Sequence, residues 1–181
     1  MKMINVENAA ILLIDIQEKL IPAINRNQEL VSNIKKLIAG AQVLELPIIW
    51  CEQIPDKIGA TLPEIAELMP KNSPISKDTF SALENEEVTK KLQGIDRSQI
   101  IVAGIEAHIC VEQSACRLLE QGYEVHIAAD CISSRTAENC EIGLKKMLNA
   151  GAEITCVESA LFEMLKVAKG DKFKQILKII K

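Results

Sequence analysis

The chain has 181 residues and a formal net charge of -4, with 48% hydrophobic and 25% charged residues. This size and composition predict one ordinary globular domain covering residues 1–181, and no apolar stretch is long enough to cross a bilayer as a helix. Lys and Arg are scattered singly and aromatic residues make up only 3%, so the basic stripes and stacking platforms typical of nucleic-acid-binding proteins are missing.

Cysteine and histidine usage bears on compartment and on metal binding. Residues 1–7 lack the apolar core of a signal peptide, so we expect a cytoplasmic protein whose thiols are reduced. The six cysteines show no Cys-x-x-Cys spacing, and His108 and His126 are the only histidines. Ligands this scattered argue against a structural zinc site, and we expect neither a metal nor a cofactor.

Strand and helix patterns alternate along the chain. Residues 9–14 are a continuous apolar run, typical of a strand buried on both faces, and residues 27–44 carry apolar side chains at helical spacing. A long proline-punctuated stretch from 55 to 74 separates a second strand from a weakly indicated third strand. The further predicted strands are 47–51, 75–77, 99–104, 124–130 and 153–157, and the further predicted helices are 86–92, 111–121, 135–149 and 166–181. This order predicts an α/β fold, namely a Rossmann-like, three-layer α/β/α, doubly wound arrangement around a six-stranded parallel sheet.

Three chemically capable side chains stand directly after predicted strands: Asp15, Lys77 and Cys110. Doubly wound folds bind ligands outside the carboxyl ends of their strands, so these residues are expected to meet. Cys110 also precedes a predicted helix, where free N–H groups and the helix dipole favour a thiolate and can receive an oxyanion. Each residue alone has an ordinary interpretation, as a turn cap, a surface lysine or a buried cysteine. Together they predict a nucleophile with an acid/base carboxylate and a supporting ammonium.

Three segments carry a resemblance to a known family. Leu-Ile-Asp-Ile-Gln at 13–17, Lys-Asp-Thr-Phe-Ser at 77–81 and Gly-Ile-Glu-Ala-His-Ile-Cys-Val at 104–111 resemble the isochorismatase-like cysteine hydrolases in order and spacing. The resemblance covers most of the chain and implies that family's six-stranded parallel sheet, with Asp15, Lys77 and Cys110 as the catalytic triad. It also implies a cis peptide bond between Ile105 and Glu106, and an oxyanion hole made by the backbone amides of Glu106 and Cys110.

Departures from two better-known branches narrow the expected function. Residues 50–57 contain no histidine, so the Asp/His metal site of nicotinamidases is absent and nicotinamide is disfavoured as the substrate. True isochorismatases lack the nucleophilic cysteine, so Cys110 favours acyl or amide chemistry instead. We therefore expect a hydrolase of a C–N amide or related acyl bond in a small molecule, working through a thioester. Gln17, Phe80 and Ile105 are expected to line its substrate pocket, although Gln17 could equally be an exposed polar residue at a strand end.

Several alternatives stay open from the sequence. His108 could form a Cys-His dyad with Cys110, but on a tight turn it is more simply a local hydrogen-bonding residue. The chain could be an interaction or regulatory protein with negligible turnover, or a thiol redox protein in which Cys51 or Cys116 resolves an oxidised Cys110. The apolar C-terminal helix fits either docking on the body or contact with a second subunit, and we expect a homo-oligomer.

Overall fold

The computed structural model describes residues 3–181, in which strands and helices alternate as the sequence predicts. The strands are β1 (Ala9–Ile14), β2 (Ile48–Gln53), β3 (Ile75–Lys77), β4 (Gln99–Ile105), β5 (Glu124–Ser133) and β6 (Glu153–Thr155). The α-helices are α1 (Asn27–Leu44), α2 (Pro55–Ile58), α3 (Pro63–Ala66), α4 (Glu86–Gly94), α5 (Glu112–Glu120), α6 (Ala137–Asn149), α7 (Val157–Leu165) and α8 (Asp171–Ile180). Within residues 3–181, no helix is both long enough and apolar enough to span a bilayer.

The strands form one parallel, six-stranded sheet in the order β3-β2-β1-β4-β5-β6. One apolar core lies between the sheet and α1, α7 and α8, and a second lies between the sheet and α4, α5 and α6. The predicted three-layer, doubly wound fold is therefore confirmed. Every residue of β1 and β4 is buried, because these central strands are covered on both faces. The strand order changes direction between β1 and β4, and this switch point is where doubly wound folds place their ligands.

Some boundaries differ from the sequence prediction. β2 continues beyond residue 51 to Gln53, and β5 continues beyond residue 130 to Ser133 through an irregular stretch of its pairing with β4. Polar side chains at the strand ends hid both extensions from a pattern based on hydrophobicity. β6 ends at Thr155, and the next residues form α7, which the sequence prediction missed. Cys156 caps this helix by accepting a hydrogen bond from the Ser159 N–H.

The C-terminal helix α8 is shorter than the predicted range 166–181 and packs on the body of the protein. Ile176 is buried in the core shared with α1 and α7, and the Phe173 ring centroid lies 6.5 Å from that of Phe162. This is the docking that the sequence offered as one of two explanations for its apolar positions.

Gly104 allows β1 and β4 to approach closely just before both strands reach the site. Its φ is 128°, a conformation that favours glycine, and a Cβ built there would lie 2.1 Å from the backbone oxygen of Ile14. Because the obstructing atom belongs to the backbone of a buried central strand, no other residue fits at position 104 without separating the strands.

Candidate active site

The fold brings the three predicted catalytic side chains together at the carboxyl edge of the sheet. Asp15 follows β1 directly, with a left-handed φ of 56°, and Lys77 ends β3. Cys110 lies in a π-helical turn (Ala107–Val111) that leads from β4 into α5. The Lys77 Nζ lies 2.8 Å from Asp15 Oδ2 in a pair with almost no solvent exposure, and the Cys110 thiol is within hydrogen-bonding reach of the Asp15 carboxylate.

The Lys77 ammonium is surrounded by oxygen acceptors. Besides Asp15, it donates to Gln53 Oε1 at 2.6 Å and to the backbone oxygens of Thr79 and Phe80 at 3.2 and 3.4 Å. A buried ammonium needs such acceptors because it has left its hydration shell. These contacts fix the Lys77 Nζ beside the carboxylate, and the sequence interpretation of a solvated surface lysine does not apply.

Burial controls the protonation of the other two groups. Burial raises the pKa of Asp15, and the Lys77 charge opposes this rise. Burial, followed by the negative charge of Asp15, raises the pKa of the Cys110 thiol to about 12. Burial therefore opposes the thiolate that the helix N-terminus favours, because Cys110 is only 8% exposed and faces a carboxylate. The thiol must lose its proton as it reacts, and Asp15 is the adjacent acceptor; in the described part of the chain, no strong hydrogen bond occupies its Oδ1.

The turn that carries Cys110 is a wide turn closed by hydrogen bonds to the Glu106 carbonyl oxygen. The N–H groups of Ile109 and Val111 both donate to the Glu106 carbonyl oxygen, at 3.0 and 3.2 Å, which defines the wide turn. The peptide bond between Ile105 and Glu106 is cis, and the Glu106 backbone N–H lowers the pKa of the Cys110 thiol, in opposition to the larger effect of burial. The oxyanion-hole role of the Glu106 and Cys110 amides stays a prediction.

The three residues predicted to line the substrate pocket have different surroundings. Phe80 is 58% exposed on the loop that follows β3, where it is free to contact a ligand. Gln17 is completely buried and bonded to the backbone of Gln53 and Gly59, so it is not an exposed strand-end residue. Ile105 is also completely buried, in the core on the α1 side of the sheet, whereas Cys110 belongs to the core on the opposite side. The structure therefore brings neither the Gln17 nor the Ile105 side chain to an open pocket surface, and only Phe80 keeps a solvent-facing surface for a pocket role.

His108 and Glu106 tie the loop after β4 to the loop after β5. The His108 Nδ1 lies 2.9 Å from the Ser134 Oγ, which is the local hydrogen bond weighed above against a Cys-His dyad. The Glu106 carboxylate accepts from the backbone N–H and the Nε of Arg135, at 3.3 and 3.1 Å. These contacts join the two loops next to the turn that carries Cys110.

The two cysteines considered as redox partners of Cys110 differ in their surroundings. Cys51 is buried in the same core as Cys110, and its pKa is raised well above the usual value by burial and by the negative charge of Asp15. Cys116 lies further along α5, where the charges that affect its pKa are those of Glu112, Lys146 and Glu120. Of the two, only Cys51 belongs to the electrostatic environment of the candidate site.

Two positioning contacts could not be recognised in the sequence. The first is the hydrogen bond from Lys77 Nζ to the Gln53 side-chain oxygen. Its only signal in the sequence was the polar pair Glu52-Gln53 after a buried strand. The second is the Ser114 hydroxyl, which donates to the Cys110 carbonyl oxygen at 2.6 Å and accepts from the Ala82 N–H at 2.8 Å. Ser114 is completely buried, and it joins the turn that bears Cys110 to the end of the loop that wraps Lys77.

Gly143 of α6 lets that helix lie directly over the Cys110 turn. A Cβ at this position would lie 2.4 Å from the Ala107 backbone oxygen and 2.7 Å from the His108 Cα. We expect Gly143→Ala to lower the free energy of unfolding by about 2 kcal/mol, because backbone atoms must move, and to slow alkylation of Cys110. Urea denaturation and iodoacetamide kinetics measure the two effects.

The matched control for this substitution is Gly94→Ala at the end of α4. No atom lies within 4 Å of a Cβ built at Gly94. We expect this variant to be as stable as the wild type or slightly more stable, because alanine reduces the entropy of the unfolded chain. Equal effects at the two glycines would contradict a specific contact between α6 and the turn.

Asp15, Lys77 and Cys110 are all buried. A groove of about 560 Å³ runs beside α1, β5 and α6, but its lining includes none of Asp15, Lys77 or Cys110. Among residues 3–181, no cluster of three or more His, Cys, Asp or Glu side chains is arranged to hold a metal ion. The site therefore offers a buried thiol, carboxylate and ammonium together with backbone donors.

Known proteins resemble this chain over nearly its full length. A family model described as Isochorismatase domain matches residues 9–159. Isochorismatase domain-containing protein 2 of Danio rerio is 35% identical over 178 residues, which are 98% of this chain and 89% of that protein.

Two solved structures share its fold. MAR1 ribonuclease from Caenorhabditis elegans superimposes with a TM-score of 0.93 and is 34% identical, and the match covers 99% of this chain and 92% of that one. YcaC from Pseudomonas aeruginosa, solved with hexane-2,5-diol and covalent acrylamide, has a TM-score of 0.93 at 25% identity, with 98% and 91% covered.

Proposed function

This chain belongs to the isochorismatase family of hydrolases, and on that premise we propose that it opens a C–N amide or related acyl bond of a small molecule through a thioester on Cys110. The observation that carries the proposal is the buried Lys77–Asp15 pair, 2.8 Å apart, with the Cys110 thiol against the same carboxylate. This arrangement supplies a nucleophile, a base for its proton and a cation that keeps the base ionised.

The proposed reaction needs no group beyond these residues and water. Asp15 takes the thiol proton as Cys110 Sγ bonds to the carbonyl carbon, and the amides of Glu106 and Cys110 receive the oxyanion. When the C–N bond breaks, Asp15 returns that proton to the leaving amine. Water then attacks the thioester, giving one proton to Asp15, which passes it to the departing sulfur. The products are a carboxylic acid and an amine, and the enzyme returns to its thiol form.

The burial of the site supports a small substrate. Cys110 is 8% exposed and Lys77 is 2% exposed, so a polymer cannot reach the sulfur unless the surrounding residues move. The name of the C. elegans relative raises RNA as an alternative substrate. The acidic net charge and the enclosed triad favour a small amide over RNA, and an RNA oligomer belongs in the substrate panel as the competing case.

The test is time-resolved mass spectrometry of the intact protein with small amides, acyl compounds and an RNA oligomer. Acrylamide is a rational first probe, because the P. aeruginosa relative was solved with this molecule bound covalently. We expect an acyl adduct on Cys110 that forms and decays as product appears. No adduct from any compound, together with a Cys110 that acrylamide does not modify, would favour the interaction-protein alternative, and a Cys51–Cys110 disulfide after mild peroxide would favour redox chemistry.

We also propose that residues 1–181 form one domain, that the protein forms a homo-oligomer and that it resides in the cytoplasm.

A further inference from the structure

Two buried glutamines stand behind the triad. Gln53 is 6% exposed, and its side-chain oxygen accepts from the Lys77 Nζ at 2.6 Å, a shorter contact than the 2.8 Å from Nζ to Asp15. The ammonium is therefore shared between one charged acceptor and one neutral acceptor. The neutral acceptor satisfies a donor of Lys77 without adding a second negative charge beside the carboxylate.

Gln17 holds Gln53 from the other side. Its side-chain oxygen accepts from the Gln53 N–H at 2.7 Å, and its Nε2 donates to the Gln53 carbonyl oxygen at 3.0 Å and to the Gly59 carbonyl oxygen at 2.6 Å. The amide thus bonds both main-chain groups of Gln53, much as a neighbouring strand would. Since every polar atom of the Gln17 side chain is used in this way, the position of Gln53 is fixed before any ligand binds.

From this geometry we infer that Gln53 is a positioning residue that holds the Lys77 ammonium against Asp15 without placing a second carboxylate on that ammonium, with Gln17 as its support. The inference rests on the proposed function, in which Asp15 must accept the Cys110 proton. A second carboxylate at this position would compete for Lys77 and would disfavour both the Asp15 anion and the Cys110 thiolate, because like charges oppose each other's ionisation. The uncharged amide at position 53 therefore favours ionisation of Asp15 and Cys110 as well as filling space.

The experiment replaces this amide with a carboxylate of nearly the same shape. In Gln53→Glu, the rate constant for alkylation of Cys110 by iodoacetamide is measured by mass spectrometry between pH 6 and 10. We expect a rate about tenfold below wild type throughout this range, because a thiol pKa raised by about one further unit leaves about tenfold less thiolate at every pH below that pKa. A role that only fills space would leave the rate unchanged, because the two side chains have almost the same volume.

Two other variants guard against misinterpretation. Gln113→Glu adds the same charge to the exposed face of α5, three residues after Cys110, and is expected to change the rate less than twofold. Gln53→Asn retains the neutral amide but is one methylene too short to hold Lys77. It should slow alkylation only about threefold, because no charge is added, and a rate within twofold of wild type in this variant overturns the inference should Gln53→Glu fail to fold.

The outcomes separate the inference from the proposed function. Rates within twofold of wild type in both Gln53 variants, with Cys110 reactive in the wild type, would overturn the inference alone. Slower alkylation in both variants, with no acyl adduct from any substrate in the wild type, would support the inference about Gln53 while removing the proposed function.

Discussion

Replacing Cys110 with serine is expected to lower kcat/KM by about 10⁴-fold or more, because a buried hydroxyl is a far weaker nucleophile than a thiol. The oxygen of Cys110→Ser is nearly isosteric with the sulfur and can donate a hydrogen bond to Asp15. Stability should therefore stay within about 1 kcal/mol of wild type. The measurements are turnover of the first substrate found with the amide panel, and urea denaturation of both proteins.

The control is Cys140→Ser, which changes a partly buried cysteine on α6 that lines the separate groove. This variant should form the acyl adduct at the wild-type rate, whereas Cys110→Ser should form none. Substantial turnover by Cys110→Ser would show that another group is the nucleophile, and the thioester mechanism would then be abandoned.

Replacing Lys77 with methionine is expected to impair both stability and catalysis. The variant leaves the Asp15 carboxylate buried without its cation, and breaking a buried ion pair in this way costs about 3 to 5 kcal/mol. Loss of the cation removes the largest influence that lowers the pKa of Asp15, so its pKa rises further. A protonated Asp15 cannot accept the thiol proton, and kcat/KM should fall by about 10³-fold.

The pH dependence of stability gives this prediction a second measurement. In Lys77→Met, the folded protein binds the Asp15 proton more tightly than the unfolded chain does, so ionisation favours unfolding. The stability deficit relative to wild type should therefore be small at low pH, where Asp15 is protonated in both folded proteins. It should grow once the pH rises above the Asp15 pKa of the folded wild type, which burial has already raised. Urea denaturation at a series of pH values measures this trend.

An exposed ion pair is the matched control for Lys77. Lys90 pairs with Glu86 at 2.9 Å, but the two side chains are 74% and 86% exposed. Lys90→Met should leave the free energy of unfolding almost unchanged at any pH, because solvent screens an exposed pair. A deficit in Lys77→Met that does not change with pH would show that lost packing, and not the unpaired carboxylate, causes it. The double variant Asp15→Asn with Lys77→Met should regain stability while staying inactive.

The fold was readable from the sequence because its signals are local. The apolar run at 9–14 and the helical spacing at 27–44 match β1 and α1 residue for residue, since a buried central strand and an amphipathic helix each have a distinct hydrophobic period. The failures lie where that period is interrupted. The polar residue Gln53 belongs to β2, although the predicted strand ended at residue 51. The predicted strand 153–157 extended into the first residue of α7, so the sequence prediction missed this helix. In both places, tertiary contacts stabilise residues whose own pattern is weak.

What the sequence determined by itself is the set of reacting groups and their placement after strands. Because the carboxyl ends of parallel strands meet at one edge of the sheet, the positions of Asp15, Lys77 and Cys110 implied a common site before any distance was known. Only the tertiary structure shows how deeply the three side chains are buried and which residues contact them. Burial opposes the charged thiolate that an exposed helix N-terminus would favour, and Gln53 and Ser114 reach the triad only through contacts between distant segments. A linear pattern records which groups are present, whereas desolvation and hydrogen bonding depend on what surrounds them after folding.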